Sequence, residues 1–358
     1  MLHTHSTRLL ILPLLLAAPT WADDVTVTLP ASDGFVVQNN TASIERLRVD
    51  ESTGNISRNG ALFVHTTGSR NTFVGVSAGN TSTSDYGRNS AFGANALYAV
   101  TDGAANSAFG FSALLSTTLG TSNSAFGFKA MSFNTTGSLN AAFGASALSR
   151  NMTGSYNSAF GVAALTFNTT GYSNAALGNL ALSRNTAGFS NAALGASALH
   201  ENIVGNFNTA VGYRTLYDNI SGTQNVAVGN RALESNDSGS GNIAIGSNAG
   251  GNQTSGDSNI YIGNEGVAAE NGQIRIGNTT DHVQATIAGI HGNTVPTGIA
   301  VLVDSTGLLG TTTSSARFKE AGDRSMPSIG LSKPAARNAT PVKPVPQPAS
   351  RSTEPAGT

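Results

Sequence analysis

Asparagine returns at positions 89, 106, 123, 140, 157, 174, 191, 208, 225, 242 and 259, every step being seventeen residues, and Asn71 stands one step earlier after a one-residue insertion. No other feature restricts the fold as much, because a period held this long without slippage means like structural units stacked on one another. Four residues after each Asn comes a glycine, from Gly93 to Gly263, and a second glycine column runs from Gly103 to Gly256. Three after the Asn stand apolar residues, Phe92 to Phe160 first, then Leu177 and Leu194, Val211 and Val228, Ile245 and Ile262. Seven and eight after it come pairs such as Ala96 with Leu97 and Ala130 with Met131. Between the Leu and the second glycine lies a polar stretch such as NTTG, which is turn chemistry, often with a further Asn (Asn134, Asn151, Asn168, Asn185, Asn202, Asn219, Asn236).

Helix-pair repeats are longer and do not tolerate two glycines per unit. Short strands and tight turns remain, so the chain is expected to be all-β, each unit one coil of a parallel β-solenoid. At about 4.8 Å per coil the array makes a rod on the order of 50 Å long. A coil at about 3.3 Å per residue has a perimeter of roughly 56 Å, which predicts two strands of about five residues and little interior. Stacking places Asn on Asn and apolar on apolar. A roll this thin struggles to bury both apolar columns, so the outer one is expected to be covered by copies of the same chain around an axis.

The ends differ in kind. MLHTHSTR, the apolar run LLILPLLLAA and then PTWA have the three-part layout of a secretory signal peptide, with cleavage expected after Ala22. Nothing later reaches the roughly 18 apolar residues of a membrane helix, so no membrane insertion of the mature chain is expected. With no cysteine, an exported chain must hold together by burial and hydrogen bonding alone. A net charge of -1 with 11% charged residues argues against a phosphate-backbone binder, so nucleic acid is not an expected partner.

The units NIAIGSNAG (Asn242 to Gly250), NVAVGNRAL (Asn225 to Leu233) and NTAVGYRTL (Asn208 to Leu216) resemble the head repeats of YadA-like trimeric autotransporter adhesins. The resemblance covers Asn71 to Gly263 and implies a left-handed parallel β-roll in a homotrimer. Phe in the N-terminal coils departs from the family's small aliphatic, and the chain lacks the aromatic-ended strands of that family's membrane anchor. Further on, DSTGLLGTTTSSARFKE (Asp304 to Glu320) is similar to the start of the self-cleaving intramolecular chaperone of phage tail spikes and bacterial fibre proteins. That resemblance implies Ser314 as nucleophile and Lys319 as base, with Ser315 the alternative register; a desolvated lysine can activate a hydroxyl. Residues after Glu320 do not read as the continuation of that domain. Residues 321–358 hold seven of the eleven prolines and few large apolar residues, the composition of a segment expected to stay disordered, so the dyad reads as vestigial.

A glycosidase needs two carboxylates held close together, and Asp102, Glu201, Asp218, Glu234, Asp237 and Asp257 read as scattered, none kept at one position in successive coils. Histidines 3, 5, 65, 200, 282 and 291 do not cluster as a metal site would. The Thr pairs Thr135 with Thr136 and Thr169 with Thr170 break to Met152 and Ala187, which is no flat hydroxyl rank.

The domains expected are a signal peptide (1–22), a strand-rich cap (23–70), β-roll head repeats (71–263), a neck with the remnant chaperone start (264–320) and the tail (321–358). The expectation is a non-enzymatic fibre or adhesin-like protein, secreted, at the cell surface or periplasmic, without cofactor or metal, whose partners are its own copies and a glycan, matrix or cell-surface ligand. Arg150, Arg184, Arg214 and Arg231 with Tyr156, Tyr172 and Tyr213 are candidates for such contacts, with solvated faces and packing as the favoured reading. The alternative is a self-processing tail-fibre-like protein, trimerised by its chaperone and cleaved near Ser314.

Overall fold

A computed structural model describes residues 35–38, 45–50, 52–58, 61–79, 87–287 and 301–311, and the chain divides into compact units at Ala285 and Thr286. The leader, residues 23–34 and the Pro-rich tail lie outside the described residues. The first unit opens with antiparallel strands β1 (Phe35–Gln38), β2 (Glu45–Val49), β3 (Ile56–Arg58) and β4 (Ala61–His65), the last pairing with β5 (Thr72–Val74). One strand per coil follows: β6 (Ser90–Phe92), β7 (Ser107–Phe109), β8 (Ser124–Phe126), β9 (Ala141–Phe143), β10 (Ser158–Phe160) and β11 (Ala175–Leu177). Then come β12 (Ala192–Leu194), β13 (Thr209–Val211), β14 (Val226–Val228), β15 (Ile243–Ile245), β16 (Ile260–Ile262) and β17 (Ile274–Ile276). From β5 onward all neighbours are parallel and in register, Ser107 on Ser124 and Phe109 on Phe126, giving a parallel β-solenoid of about 12 turns. Among the described residues there is no helix, hence none long and apolar enough to cross a membrane.

Taking the repeating Asn as position 1, the strand occupies positions 2 to 4. Its small middle residue turns inward: Ala91 through Ala244 are 0–3% exposed. On the opposite side the Ala at position 8 and the Leu at position 9 turn in against it, Ala96 and Leu97 in one coil, Ala164 and Leu165 in another. Each such Leu contributes about 1.5–3 kcal/mol relative to exposure, and three modest side chains per coil fill the interior.

Two five-residue strands per coil were expected; the structure has one of three residues. The second side does not extend because every Leu at position 9, and Met131, sits at φ 50–53°, left-handed backbone. The coils are nevertheless hydrogen-bonded there: Leu97 N–H donates to Ala113 carbonyl and Ala99 N–H to Leu115 carbonyl, both at 3.0 Å. A lap can therefore close in seventeen residues through repeated sharp corners.

Two glycines per coil have separate reasons. Gly161, at φ 136°, lies so close to the next coil that a Cβ would stand 2.5 Å from the Gly178 carbonyl oxygen. Gly171 has ordinary φ, but a Cβ there would strike the Asn168 side chain and the Gly188 carbonyl.

Both Asn columns are buried and bonded in ladders. Asn123 donates through Nδ2 to the Gly137 carbonyl (2.9 Å) and to Asn106 Oδ1 (3.1 Å), while its own Oδ1 accepts from the Asn140 backbone N–H (3.0 Å). In the second column Asn151 donates to Asn134 Oδ1 (2.7 Å) and to the Gly154 carbonyl (2.8 Å). Buried amides are tolerated because each is satisfied. The second ladder stops at Asn236, whose Oδ1 has no donor because Gln253 takes the next place.

The core ends in the same way at both extremities. Phe73 and Tyr261 occupy the Ala position, and the Leu position beside them becomes Gly79 or Gly250, where a Cβ would press into the ring. Arg275 takes that strand position one coil beyond Tyr261 and pairs with Glu270, Nη2 to Oε2 at 2.7 Å. Burial opposes ionisation of Glu270, but the Arg275 hydrogen bonds hold its carboxyl below the usual range. At the N-terminal end His65, 2% exposed, donates through Nε2 to the Ala78 carbonyl (2.7 Å), so its Nδ1 accepts from the Thr67 hydroxyl (2.9 Å). Burial keeps this imidazole below its ordinary pKa, ahead of the opposing Ala78 bond.

The second unit contains the hairpin β18 (Val301–Val303) and β19 (Leu309–Thr311). Asp304 Oδ1 accepts from the Thr306 hydroxyl (2.7 Å) and the Leu308 N–H (2.9 Å), an Asx-type turn.

Candidate docking surfaces

Because position 3 points inward, positions 2 and 4 of every strand point out, and no described residue covers them. Position 4 forms an apolar ridge from Phe92 to Ile262, reaching 52% exposure at Leu177. In its first five coils the rings of Phe92, Phe109, Phe126, Phe143 and Phe160 stack at 4.7–4.9 Å with interplanar angles of 3–9°. Each inner ring of the row thus has a parallel ring above and below it along the rod. Position 2 begins as Ser90, Ser107 and Ser124, passes through Ala175 and Ala192, and ends as Val226, Ile243 and Ile260. A shallow groove runs over Ala175 and Ala192 beside Phe160, Leu177 and Leu194. Single exposed apolar residues are ordinary, whereas a contiguous stripe marks an interaction surface.

The candidate arginines are engaged within the rod, in line with the packing reading. Arg150 lies over Phe167 (4.8 Å), and Arg184 pairs with Glu201 at 2.7 Å. Arg214 lies over Tyr217 (4.1 Å) and touches Glu234 through Nε at 2.6 Å, an ion contact that lacks hydrogen-bond alignment. Arg231 approaches Glu234 at 3.6 Å. Tyr172 stacks on Phe189 at 4.8 Å, while Tyr156 and Tyr213 are exposed.

One sequence reading is corrected. Glu201 and Asp218 are seventeen residues apart and share position 11 of adjacent coils, so the carboxylates are not all scattered. Together with His200, which stacks on Tyr217 at 4.9 Å, they belong to a paired ionic band across neighbouring coils. Burial pushes the Asp218 carboxyl above its ordinary value, Glu234 adding to it and Arg214 opposing. The signal lay in charges recurring at positions 7, 10 and 11 of a few coils. Among the described residues no group of three His, Cys, Asp or Glu is placed to hold a metal ion. Ser314, Ser315 and Lys319 lie outside the described residues.

No known family matches the chain, and neither a curated protein nor a solved structure does.

Proposed function

We propose that the chain is an exported, non-enzymatic rod that associates with copies of itself through its strand face and presents its other sides for adhesion, in the manner of YadA-like trimeric heads. The uncovered ridge from Phe92 to Ile262 carries this reading. At roughly 25 cal/mol per Å² of apolar surface removed from water, covering such a stripe is a strong drive to associate. Rings stacked on one another suit packing against a like surface more than stacking under a flat ligand. A closed threefold arrangement puts this face of every copy on one axis and leaves the turns and the ionic band outside. Three copies side by side raise the effective concentration of any weak surface contact.

Light scattering on the purified secreted chain tests this. A particle of three chain masses is expected, with Leu177→Asp combined with Leu194→Asp giving a monomer that keeps its sheet spectrum. A wild-type monomer at micromolar concentration defeats the assembly and the adhesin reading with it.

A further inference from the structure

Four successive coils carry one aromatic residue each on the same edge of the rod: Tyr156, Tyr172, Phe189 and Phe207, at positions 16 and 17. Three coil steps separate the first from the last, about 14 Å at about 4.8 Å per step. Position 17 is the left-handed corner before the repeating Asn, filled in most other coils by Ala, Ser, Gln or Gly and once more by a large apolar residue, Leu139. Tyr156 and Phe207 adopt it at φ 61° and 58°. For bulky side chains that is strained backbone, and burial does not compensate, since the two residues are 63% and 53% exposed. Phe207 keeps one edge contact, with Phe189 at 5.1 Å, and more than half of each side chain stays exposed.

Their setting indicates what they meet. Phe207 stands at 82° to Phe189, the one perpendicular ring pair among the described residues, whereas Phe189 continues the parallel stacking of Tyr172. Phe207 is thus turned out of the stack. Positions 16 and 17 contain no charged side chain from Ser138 to Gln224. They offer serine hydroxyls and amides instead: Asn206 accepts from the Phe189 N–H through Oδ1 (2.8 Å), leaving its Nδ2 for a ligand, and Gln224 is exposed. Aromatic rings beside neutral donors and acceptors suit a sugar chain, whose C–H faces pack on rings while its hydroxyls bond to amides. An acidic glycan would need cations that this edge lacks.

We infer that this aromatic edge is the binding site of the rod for a neutral oligosaccharide lying along its axis. This rests on the adhesin reading and names its ligand class. The experiment titrates the full-length secreted protein with cellotetraose, maltotetraose, chitotetraose and mannotetraose, and with sialylated and sulfated oligosaccharides, reading tyrosine fluorescence and heat. Binding of at least one neutral tetraose is expected, weakened tenfold or more in Tyr156→Ser with Phe207→Ser, whose melting temperature stays equal or rises. Serine already fills this corner in other coils, and Gln224→Ala, which leaves the backbone untouched, is expected to weaken binding as well. Binding of acidic sugars alone, unchanged affinity in the double variant, or parallel loss of melting temperature and binding each overturns the inference. So does a trimer that adheres to cells yet binds no neutral tetraose, an outcome that leaves the rod reading standing; a monomer in light scattering defeats that reading instead.

Discussion

Replacing Asn157 by alanine tests whether the amide ladder holds the coils together. The wild-type Nδ2 donates to the Gly171 carbonyl (2.9 Å), and its Oδ1 accepts from the Asn174 backbone N–H (3.1 Å) and Nδ2 (3.2 Å). Two partners keep a second bond after the change: Gly171 still accepts from Asn168 (2.8 Å) and Asn174 Nδ2 still donates to Gly188 (2.8 Å). The Asn174 N–H keeps none, in a ladder 0–1% exposed at these two residues. An orphaned buried N–H costs about 1–3 kcal/mol, and the two weakened partners add about 0.5–1 kcal/mol. The expected loss is about 1.5–4 kcal/mol, read by urea denaturation followed by circular dichroism, with exposed Ser173→Ala as the control expected within about 0.5 kcal/mol. Asn157→Asp retains the acceptor but faces a carboxylate towards the Gly171 carbonyl in a dry interior. Its folded pKa is raised, so the folded form binds the extra proton and the deficit shrinks as pH falls from about 7 to about 5. An Asn157→Ala loss no larger than the control, or an Asn157→Asp deficit that grows on acidification, refutes the ladder argument.

Tyr261→Ala should cost about 3–5 kcal/mol through the cavity it opens, and adding Gly250→Leu should recover at least about 1 kcal/mol by rebuilding an interior rung; a double-mutant cycle in urea measures the coupling. Because the Glu270 carboxyl is held below its ordinary value, its contribution is complete above the glutamate range and disappears as pH falls through it; thermal melts across that range should lose this component in Glu270→Gln. Leu139, exposed at φ 59°, should gain about 0.5–1 kcal/mol as Leu139→Asn, since asparagine accepts left-handed backbone more readily; calorimetry detects the rise in melting temperature.

The period, the two glycine columns and the buried Asn and Leu were legible because each recurs and each has one physical reason. The second side of the coil was not. Leucine carries no signature of left-handed backbone, so nothing in the letters distinguishes Leu165 at φ 51° from a leucine in a strand. The tie between Phe73 and Gly79 escaped notice because a compensating pair placed once at each end has no period to betray it. For the candidate surfaces, the ridge could be read from its recurrence, whereas the engagement of Arg184, Arg214 and Arg231 depended on which acids lay in the same coil or the next. The strained corner under Tyr156 and Phe207 is a backbone property that composition cannot express.

The in-register pairing of successive strands also governs how such a gene can change. Since one lap closes on seventeen residues, unequal recombination that copies or drops a whole lap lengthens or shortens the rod by one storey and leaves every other rung with its old neighbours. A single inserted codon is instead absorbed outside the strands: the lap from Asn71 to Asn89 is one residue longer, and Thr72 still pairs with Ser90 and Phe73 with Ala91. Inheritance can thus vary the reach of the molecule in whole storeys while holding its cross-section constant.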